Sequence, residues 1–221
     1  MTGPVAIVVG AGRGLGAAVA RRFAREGFSL ALLARSEAQL AERVTELEAL
    51  GVQAAGFAAD AGSPQSLQVA FERAAERFGE PEVLVYNAVA PLLGAPSTTS
   101  PEDLIDSLKV NVGGALAATK LVLPTMRAAS RGTILLTGGG LALNPYVGMA
   151  GLAVGKAALR SLAATLATEL EPEGIHVGLV SVMGVIEPGT AFDPDAIAEA
   201  YWSLHAEPRG QWQAEVRFQG S

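Results

Sequence analysis

The sequence predicts an α/β fold: a three-layer, Rossmann-type, doubly wound parallel sheet in a single domain over residues 1–221. Three observations support this prediction. Strand-like and helix-like segments alternate along the chain. The strand-like runs are apolar throughout, which is typical of strands that helices cover on both faces. The first of these runs leads through a glycine-rich turn directly into a helical segment.

The individual elements follow from these patterns and from the residues that bound them. Strands are expected at 4–10, 28–34, 52–60, 82–88, 132–138, 175–182 and, as a short last strand, 214–218. Helices are expected at 14–26, 36–51, 63–79, 100–126, 149–170 and 193–205. Serine occupies the N-cap position of three helices, and glycine ends three. These residues are Ser36, Ser63, Ser100, Gly27, Gly51 and Gly79.

Composition and charge exclude several classes of function. The net charge of −6 provides no basic surface for nucleic acid. The chain has no cysteine, so it forms no disulfide and no thiolate metal site, and no metal site is expected. Lys156, Arg160 and Glu169 interrupt the longest apolar segment, so no membrane span is expected. Residues 1–10 lack the basic start of a signal peptide, which favours a cytoplasmic location.

The glycine-rich turn has the spacing of a dinucleotide-binding turn. Gly10 permits the tight turn, Gly14 lets the backbone approach a pyrophosphate, and Gly16 lets the helix pack closely on the sheet. The N-terminus of the following helix faces the phosphate charge. The alternative is a tight turn with no ligand, but the strand before it and the helix after it favour a cofactor.

Two arginines favour NADP over NAD. The second strand ends in Ala34 and Arg35, with no acidic residue before Glu37 to bind a ribose 2′-hydroxyl. Arg13 lies inside the glycine turn. Guanidinium groups bind phosphate well, so the pair suits a 2′-phosphate and predicts that NADPH is preferred over NADH. The alternative for each arginine is an ordinary solvated side chain.

Further motifs occur in order along the chain. Asp60 lies in AADAGSP, Asn87 and Ala88 lie in YNAVA, Asn111 lies in KVNVGG, and Lys156 opens KAALRSLAATLATEL. With the glycine turn, this set resembles the short-chain dehydrogenase/reductase family over nearly the whole chain. The resemblance implies that Asp60 meets the adenine ring, that Asn111 is the asparagine that holds a water in the proton path, and that Lys156 binds the nicotinamide ribose. The full set of expected cofactor-binding residues is Gly10, Arg13, Gly14, Leu15, Gly16, Arg35, Asp60, Ala61, Asn87, Ala88 and Lys156.

The chain departs from that family where the substrate would be activated. The family has a tyrosine four residues before the lysine, and here that position is Leu152. The region of the family's serine holds Gly138 and Gly139, with Thr137 as the nearest hydroxyl. Val89 stands in place of a family glycine. The resemblance therefore implies that the ribose-binding half of the site is retained and the half that activates the substrate is not.

Two residues are candidates to supply the lost hydroxyl groups. Tyr146 lies six residues before the tyrosine position and would have to reach in from a loop; the more common interpretation of such a residue is an ordinary loop tyrosine. Thr137 is a candidate hydrogen-bond donor in place of the serine, or a strand-end threonine. The connection after the sixth strand is short, with Val182 and Met183 where the family has Pro-Gly, which leaves little chain for a lid.

The helix at 149–170 is apolar on nearly every side, with alanine between the larger residues. The sheet covers one face, and a symmetric partner helix is expected to cover another, so the chain is predicted to form a homodimer or homotetramer. The resemblance implies the same assembly.

The leading function is an NADP-dependent oxidoreductase with an atypical, weakened active site, acting on an unidentified carbonyl or alcohol. The alternative is a non-catalytic NADP-binding protein, such as a redox sensor or assembly partner.

Overall fold

The computed structural model describes residues 3–220, and they contain one seven-stranded parallel sheet. The strand order is β3-β2-β1-β4-β5-β6-β7, which reverses direction between β1 and β4. The strands are β1 Val5–Val9, β2 Ser29–Ala34, β3 Ala54–Ala58, β4 Val83–Tyr86, β5 Gly132–Thr137, β6 Ile175–Val182 and β7 Glu215–Phe218. The predicted fold class is confirmed, including the short seventh strand. The predicted domain limits at residues 1 and 221 lie outside the described residues.

Helices cover both faces of the sheet. They are α1 Leu15–Arg25, α2 Glu37–Glu48, α3 Pro64–Phe78, α4 Pro101–Leu108, α5 Ala115–Ala129, α6 Ala150–Leu170 and α7 Pro194–His205. The hydroxyls of Ser36, Ser63 and Ser100 accept hydrogen bonds from amides in the first turns of α2, α3 and α4, so all three predicted N-caps are confirmed. One apolar core joins α3, α5 and α6 to the sheet, and a second joins α1, α2 and α7 to its other face. These are the three predicted layers.

The single helix predicted at 100–126 is divided into two α-helices by a π-helical turn at Lys109–Gly114. The sequence VNVGG combines β-branched residues with two glycines, all weak helix formers. The backbone also has partners outside the helix there, because Tyr86 Oη donates to the Val110 carbonyl at 2.5 Å. A side chain at Gly114 would collide with the Ala61 carbonyl, so the glycine permits the close approach. Segments of this kind occur often at functional sites.

Helix α6 packs one face on the sheet and leaves the other exposed in the single chain. Leu159, Ala163 and Leu166 are buried, whereas the opposite face is formed by exposed apolar and small residues. Those residues are Val154, Ala157, Ser161 and Ala164. The helix is therefore apolar on several sides, as predicted, with one such side open to a partner. None of the helices in residues 3–220 has the length and apolar character needed to cross a membrane.

Candidate active site

The glycine turn has the geometry that its spacing predicts. Gly10 has a positive φ of 86°, and a Cβ atom there would lie 2.5 Å from the Ala88 nitrogen. A Cβ at Gly16 would collide with the Gly10 carbonyl oxygen, so α1 can pack here only because this residue has no side chain. Gly12 and Gly14, in contrast, have open space where a side chain would be. Two glycines are therefore needed for packing, and the other two leave the backbone accessible.

The start of α1 is suited to bind an anion. Gly14 is its N-cap residue, and the first turn contains neither a capping side chain nor an acidic residue. The unpaired amides at a helix N-terminus and the helix dipole together favour a negatively charged group. Leu15 is buried and lies at the same edge, where it lines the main cavity.

The glycine turn lies against the end of β2, because the amides of Gly10 and Ala11 both donate to the Leu33 carbonyl. This contact brings Arg13 and Arg35 to one edge of the sheet. Both side chains are exposed. Arg13 forms a long ion pair with Glu42 of α2, at 3.6 Å, and within residues 3–220 Arg35 makes no ion pair. An exposed pair at this distance contributes little to stability, so both guanidinium groups can turn to a ligand.

Further expected cofactor-binding residues lie beyond the ends of β3 and β4. Asp60 is exposed, and its Oδ1 accepts a hydrogen bond from the Gly62 amide at 2.9 Å, which fixes the carboxylate. Ala61 is buried, and its carbonyl lies against Gly114. Ala88 follows β4 and lies against Gly10.

A chain of buried hydrogen bonds joins the last helix to the glycine turn. Asn87 Nδ2 donates to the Gly10 carbonyl at 3.0 Å, and Asn87 Oδ1 accepts from Thr137 Oγ1 at 3.0 Å. Thr137 Oγ1 also lies 2.6 Å from Tyr201 Oη. Since the threonine has given its one hydrogen to Asn87, the tyrosine must be the donor. Burial raises the pKa of Tyr201, which keeps its phenol protonated.

These hydrogen bonds determine which partners the Thr137 hydroxyl can bind. Both of its identified partners lie within the protein, so its single hydrogen is directed at Asn87. Sequence reasoning placed Thr137 at this edge of the sheet but did not identify Tyr201. An aromatic residue in an amphipathic helix is usually a core residue, and nothing in the surrounding sequence marks its hydroxyl as part of the site.

Lys156 lies in the second turn of α6 and reaches the end of β5. Its Nζ donates to the Thr137 carbonyl at 2.7 Å. Burial lowers the pKa of this lysine from its ordinary value to about 8, since the charged form loses solvation. A Cβ at Gly139 would lie 3.7 Å from Lys156 Cε, so the lysine side chain passes directly beside Gly139.

A cavity of about 650 Å³ connects the glycine turn to Lys156. Gly14 and Leu15 line one end, and Lys156, Leu152 and Gly139 line the other. The remaining wall is mostly apolar. It includes Val89, Leu141, Met149, Val182, Met183, Val185 and Ile186, with Asn144 as an additional polar residue. The size is that of a typical small-molecule site.

Asn111 is buried in the π-helical turn, and it is not among the residues that line this cavity. Its Oδ1 accepts from the Ala90 amide at 2.8 Å, and its Nδ2 donates to the Ala90 carbonyl at 3.0 Å and to Ser107 Oγ at 2.9 Å. Both hydrogens of the side-chain amide therefore have protein partners. Gly155 of α6 packs against Asn111, so the amide anchors the loop after β4 next to the lysine helix.

Tyr146 lies apart from these residues. Its side chain is 61 % exposed and lines a separate apolar groove together with Pro96, Val147 and Val154. The structure thus brings Lys156, Thr137, Asn87 and Leu152 together, and it leaves Tyr146 outside the main cavity.

The segment after β6 forms a short rim on the cavity. Met183, Gly184, Val185 and Ile186 line the opening. A tight turn follows, in which the Gly189 amide donates to Asp193. Residues 183–193 form the whole connection between β6 and α7.

Comparisons with known proteins agree with this geometry. The family model described as short chain dehydrogenase matches residues 4–193. Human dehydrogenase/reductase SDR family member 2, mitochondrial, is 34 % identical over 184 residues, which is 83 % of this chain and 65 % of that protein. Oxidoreductase UcpA of Escherichia coli K12 is 34 % identical over 183 residues, which is 81 % of this chain and 68 % of that protein. The chain thus spans about two thirds of the length of these relatives.

Among solved structures, a metagenomic short-chain oxidoreductase in complex with NADP superposes with a TM-score of 0.90 at 29 % identity, covering 99 % of both chains. The family model covers most of the sequence, and the fold agrees with that of the solved short-chain oxidoreductase. The chain belongs to the short-chain dehydrogenase family of oxidoreductases.

Proposed function

We propose that this protein binds NADPH at the glycine turn and reduces an apolar, uncharged carbonyl compound slowly, through a weakened active site. The observation that carries the proposal is the cavity that runs from Gly14 and Leu15 to Lys156, with a leucine at position 152. The first part of the cavity suits a dinucleotide, and the second part retains the lysine but has no tyrosine or serine hydroxyl.

The residues present suit the cofactor. Gly12 and Gly14 leave open space at an uncapped helix N-terminus, where a pyrophosphate would be held by backbone amides. The Lys156 ammonium has three hydrogens, and one identified acceptor in the protein is the Thr137 carbonyl. Its other hydrogens are available for the ribose hydroxyls. When bound, a reduced nicotinamide supplies a hydride, so the protein must position the acceptor and provide a proton.

The cavity wall supports an apolar substrate. Lys156 is the one ionisable side chain among the described residues that line it, and the wall has neither a carboxylate nor an arginine. A charged substrate would lose solvation in this cavity, and Lys156 is the one charged partner that the described lining residues provide. Leu152 adds apolar surface where a hydroxyl would otherwise meet the substrate.

The cofactor preference is testable at Arg35. We expect NADPH to bind more tightly than NADH, and Arg35→Asp to reverse that order, because a carboxylate repels the 2′-phosphate and can accept a hydrogen bond from a 2′-hydroxyl. Charge-assisted hydrogen bonds contribute about 1.5–3 kcal/mol each, so the loss of NADPH affinity should be about tenfold or more. Titration of cofactor fluorescence measures both affinities.

Arg25→Asp is the matched control for this change. Arg25 is exposed in the last turn of α1, at the opposite end of the helix from the glycine turn. The net charge changes equally, so this variant should keep the natural order of affinities. Equal affinities of the unmutated protein for NADPH and NADH would show that Arg13 and Arg35 are ordinary surface charges.

Measuring turnover distinguishes a reductase from a non-catalytic NADP-binding protein. NADPH oxidation should be measured against a panel of uncharged aldehydes and ketones, beside direct binding. Slow oxidation supports the proposal. Tight binding with no turnover on any compound favours a non-catalytic NADP-binding protein acting as a redox sensor or assembly partner. This second function is considered because Leu152 and Gly139 provide no hydroxyl group to a substrate.

We also propose that the chain assembles as a homodimer or homotetramer through the exposed face of α6. Ala157→Arg or Ala164→Arg is expected to weaken assembly at least tenfold, because an unpaired charge buried in an interface costs about 3 kcal/mol or more. Ala41→Arg places the same side chain on an exposed face of α2 and should have no effect. Sedimentation measures the result, and a monomer at micromolar concentration for the unmutated chain would exclude the assembly.

A further inference from the structure

Among residues 3–220, a single ionisable group lines the cavity, and this group is an amine. Lys156 projects from α6 beside Gly139 and Leu152. The polar side chains that share the wall with it are Asn87, Thr137 and Asn144. Thr137 donates its hydrogen to Asn87 Oδ1, and Asn87 Nδ2 donates to the Gly10 carbonyl. Asparagine amides and threonine hydroxyls do not ionise near neutral pH. An acid that acts in this cavity must therefore be the lysine or water.

We propose that Lys156 is itself the proton donor to the carbonyl oxygen of the substrate. This inference rests on the proposed reductase function, and it assigns to the lysine a step that would otherwise need a tyrosine. It makes Lys156 a catalytic residue rather than a ribose ligand alone.

The position of the ammonium supports direct donation. Its bond of 2.7 Å to the Thr137 carbonyl holds Nζ at the end of β5, on the wall of the cavity. Gly139 lies next to the lysine and has no side chain. A Cβ atom at Gly139 would be 3.7 Å from Lys156 Cε. Leu152 lines the same part of the cavity with an apolar side chain. No protein hydroxyl from position 139 or 152 separates the ammonium from a substrate oxygen.

The surroundings also let the lysine give up a proton. The segments that pack around it are the ends of β5 and β6, the loop after β5 and the π-helical turn, and none of their residues that line the cavity is charged. Arg160, one turn along α6, is paired with Glu215 of β7 at 2.7 Å. Tyr201, bonded to Thr137, has a raised pKa and is uncharged. Burial thus lowers the pKa of Lys156 to about 8, which suits a general acid near neutral pH.

Proton donation by the lysine completes the reduction with atoms and charge conserved. The hydride that the reduced cofactor provides forms a C–H bond at the carbonyl carbon while the C=O π bond breaks. The oxygen takes a proton from Lys156 Nζ, which becomes a neutral amine. The products are the alcohol and the oxidised cofactor, and the amine regains a proton from water before the next turnover.

Lys156→Arg tests the proposal. Arginine keeps the positive charge and the donors that a ribose needs, but it does not release a proton near neutral pH. We expect the variant to bind NADPH within about threefold of the unmutated protein, while kcat falls about a hundredfold or more.

The unmutated kcat for reduction should fall about tenfold per pH unit above pH 8, since only the protonated lysine donates. The residual rate of Lys156→Arg should lack this dependence. Lys120→Arg, at an exposed position of α5, is the matched control.

A second measurement follows the lysine directly in the unmutated protein. The chain has only three lysines, at 109, 120 and 156, so ¹³C-methylated lysine signals can be assigned and titrated by NMR. One signal should titrate near pH 8 and be missing from Lys156→Arg. A kcat for Lys156→Arg within threefold of the unmutated value, or an unmutated kcat independent of pH between 7 and 9.5, would overturn the assignment while the reductase function stands. Absence of any turnover by the unmutated protein would instead reject the reductase function.

Discussion

Replacing Gly139 with serine and Leu152 with tyrosine in the same chain is expected to raise kcat/KM for reduction of a simple ketone by about a hundred- to a thousandfold, chiefly through the added hydrogen-bond donor to the carbonyl oxygen. The tyrosine would provide a proton donor four residues before Lys156, with the lysine ammonium lowering the pKa of the phenol. The serine would donate a hydrogen bond to the same carbonyl oxygen. Steady-state NADPH oxidation measures the gain.

The structure has room for both side chains. Gly139 has an extended backbone with φ of 177°, which any residue adopts, and a Cβ atom at this position would lie 3.7–3.8 Å from its nearest neighbours, at ordinary contact distance. Leu152 already lines the cavity, so a tyrosine there would replace apolar surface at the same place.

One single variant and one further double variant are the controls for this experiment. Leu152→Tyr alone should restore little, because the carbonyl still lacks a donor from position 139. Gly139→Ser with Leu152→Phe keeps the size and aromatic character of the double change without its hydroxyl. If that phenylalanine variant is as active as the tyrosine variant, the tyrosine hydroxyl adds nothing to the proton donation that Lys156 provides.

Gly16→Ala is expected to destabilise the folded protein by about 3 kcal/mol, because overpacking a core commonly costs about 1–3 kcal/mol and here the obstacle is backbone. The new Cβ would collide with the Gly10 carbonyl oxygen and lie 2.9 Å from Ala11 Cα. A loss of this size should lower Tm by about 6–12 °C in a chain of this length. Differential scanning fluorimetry without cofactor measures it.

Gly14→Ala is the matched comparison, two residues away in the same turn. Nothing lies within 4 Å of its Cβ position, so Tm without cofactor should hardly change. The methyl group would occupy space that a pyrophosphate needs, and NADPH affinity should fall about tenfold or more. Equal losses of Tm in the two variants would contradict the distinction between a packing glycine and a ligand-facing glycine.

The order and type of the elements could be predicted because local signals and tertiary structure agree. The serines at 36, 63 and 100 cap their helices as expected. The π-helical turn at Lys109–Gly114 could not be predicted, since it depends on Tyr86 and Ala61, which lie elsewhere in the sequence. One wider turn changes the helical periodicity of residues 100–126 very little, so the sequence pattern there does not reveal the π-helical turn.

The candidate site likewise has features that could be predicted from the sequence and features that could not. The roles of Gly10 and Gly16 in close packing follow from their spacing, and the structure agrees with them. The orientation of the Thr137 hydroxyl does not follow from the sequence, because it depends on Tyr201 from the last helix. Tyr146 is close to α6 in sequence, yet its side chain lines a different groove. Separation along the chain does not determine which wall a loop residue contacts.

The hydrogen bonds from Tyr201 through Thr137 and Asn87 to Gly10 also bear on how the protein unfolds. They link the last helix of the chain to its first turn, through the ends of β4 and β5. If α7 detaches, Thr137 loses its phenol donor, and the support of the glycine turn is weakened at the same time. Amide protons in α7 and at the start of α1 should then exchange with solvent in one cooperative opening event rather than independently. Cofactor bound at α1 would slow exchange in a helix that it does not touch.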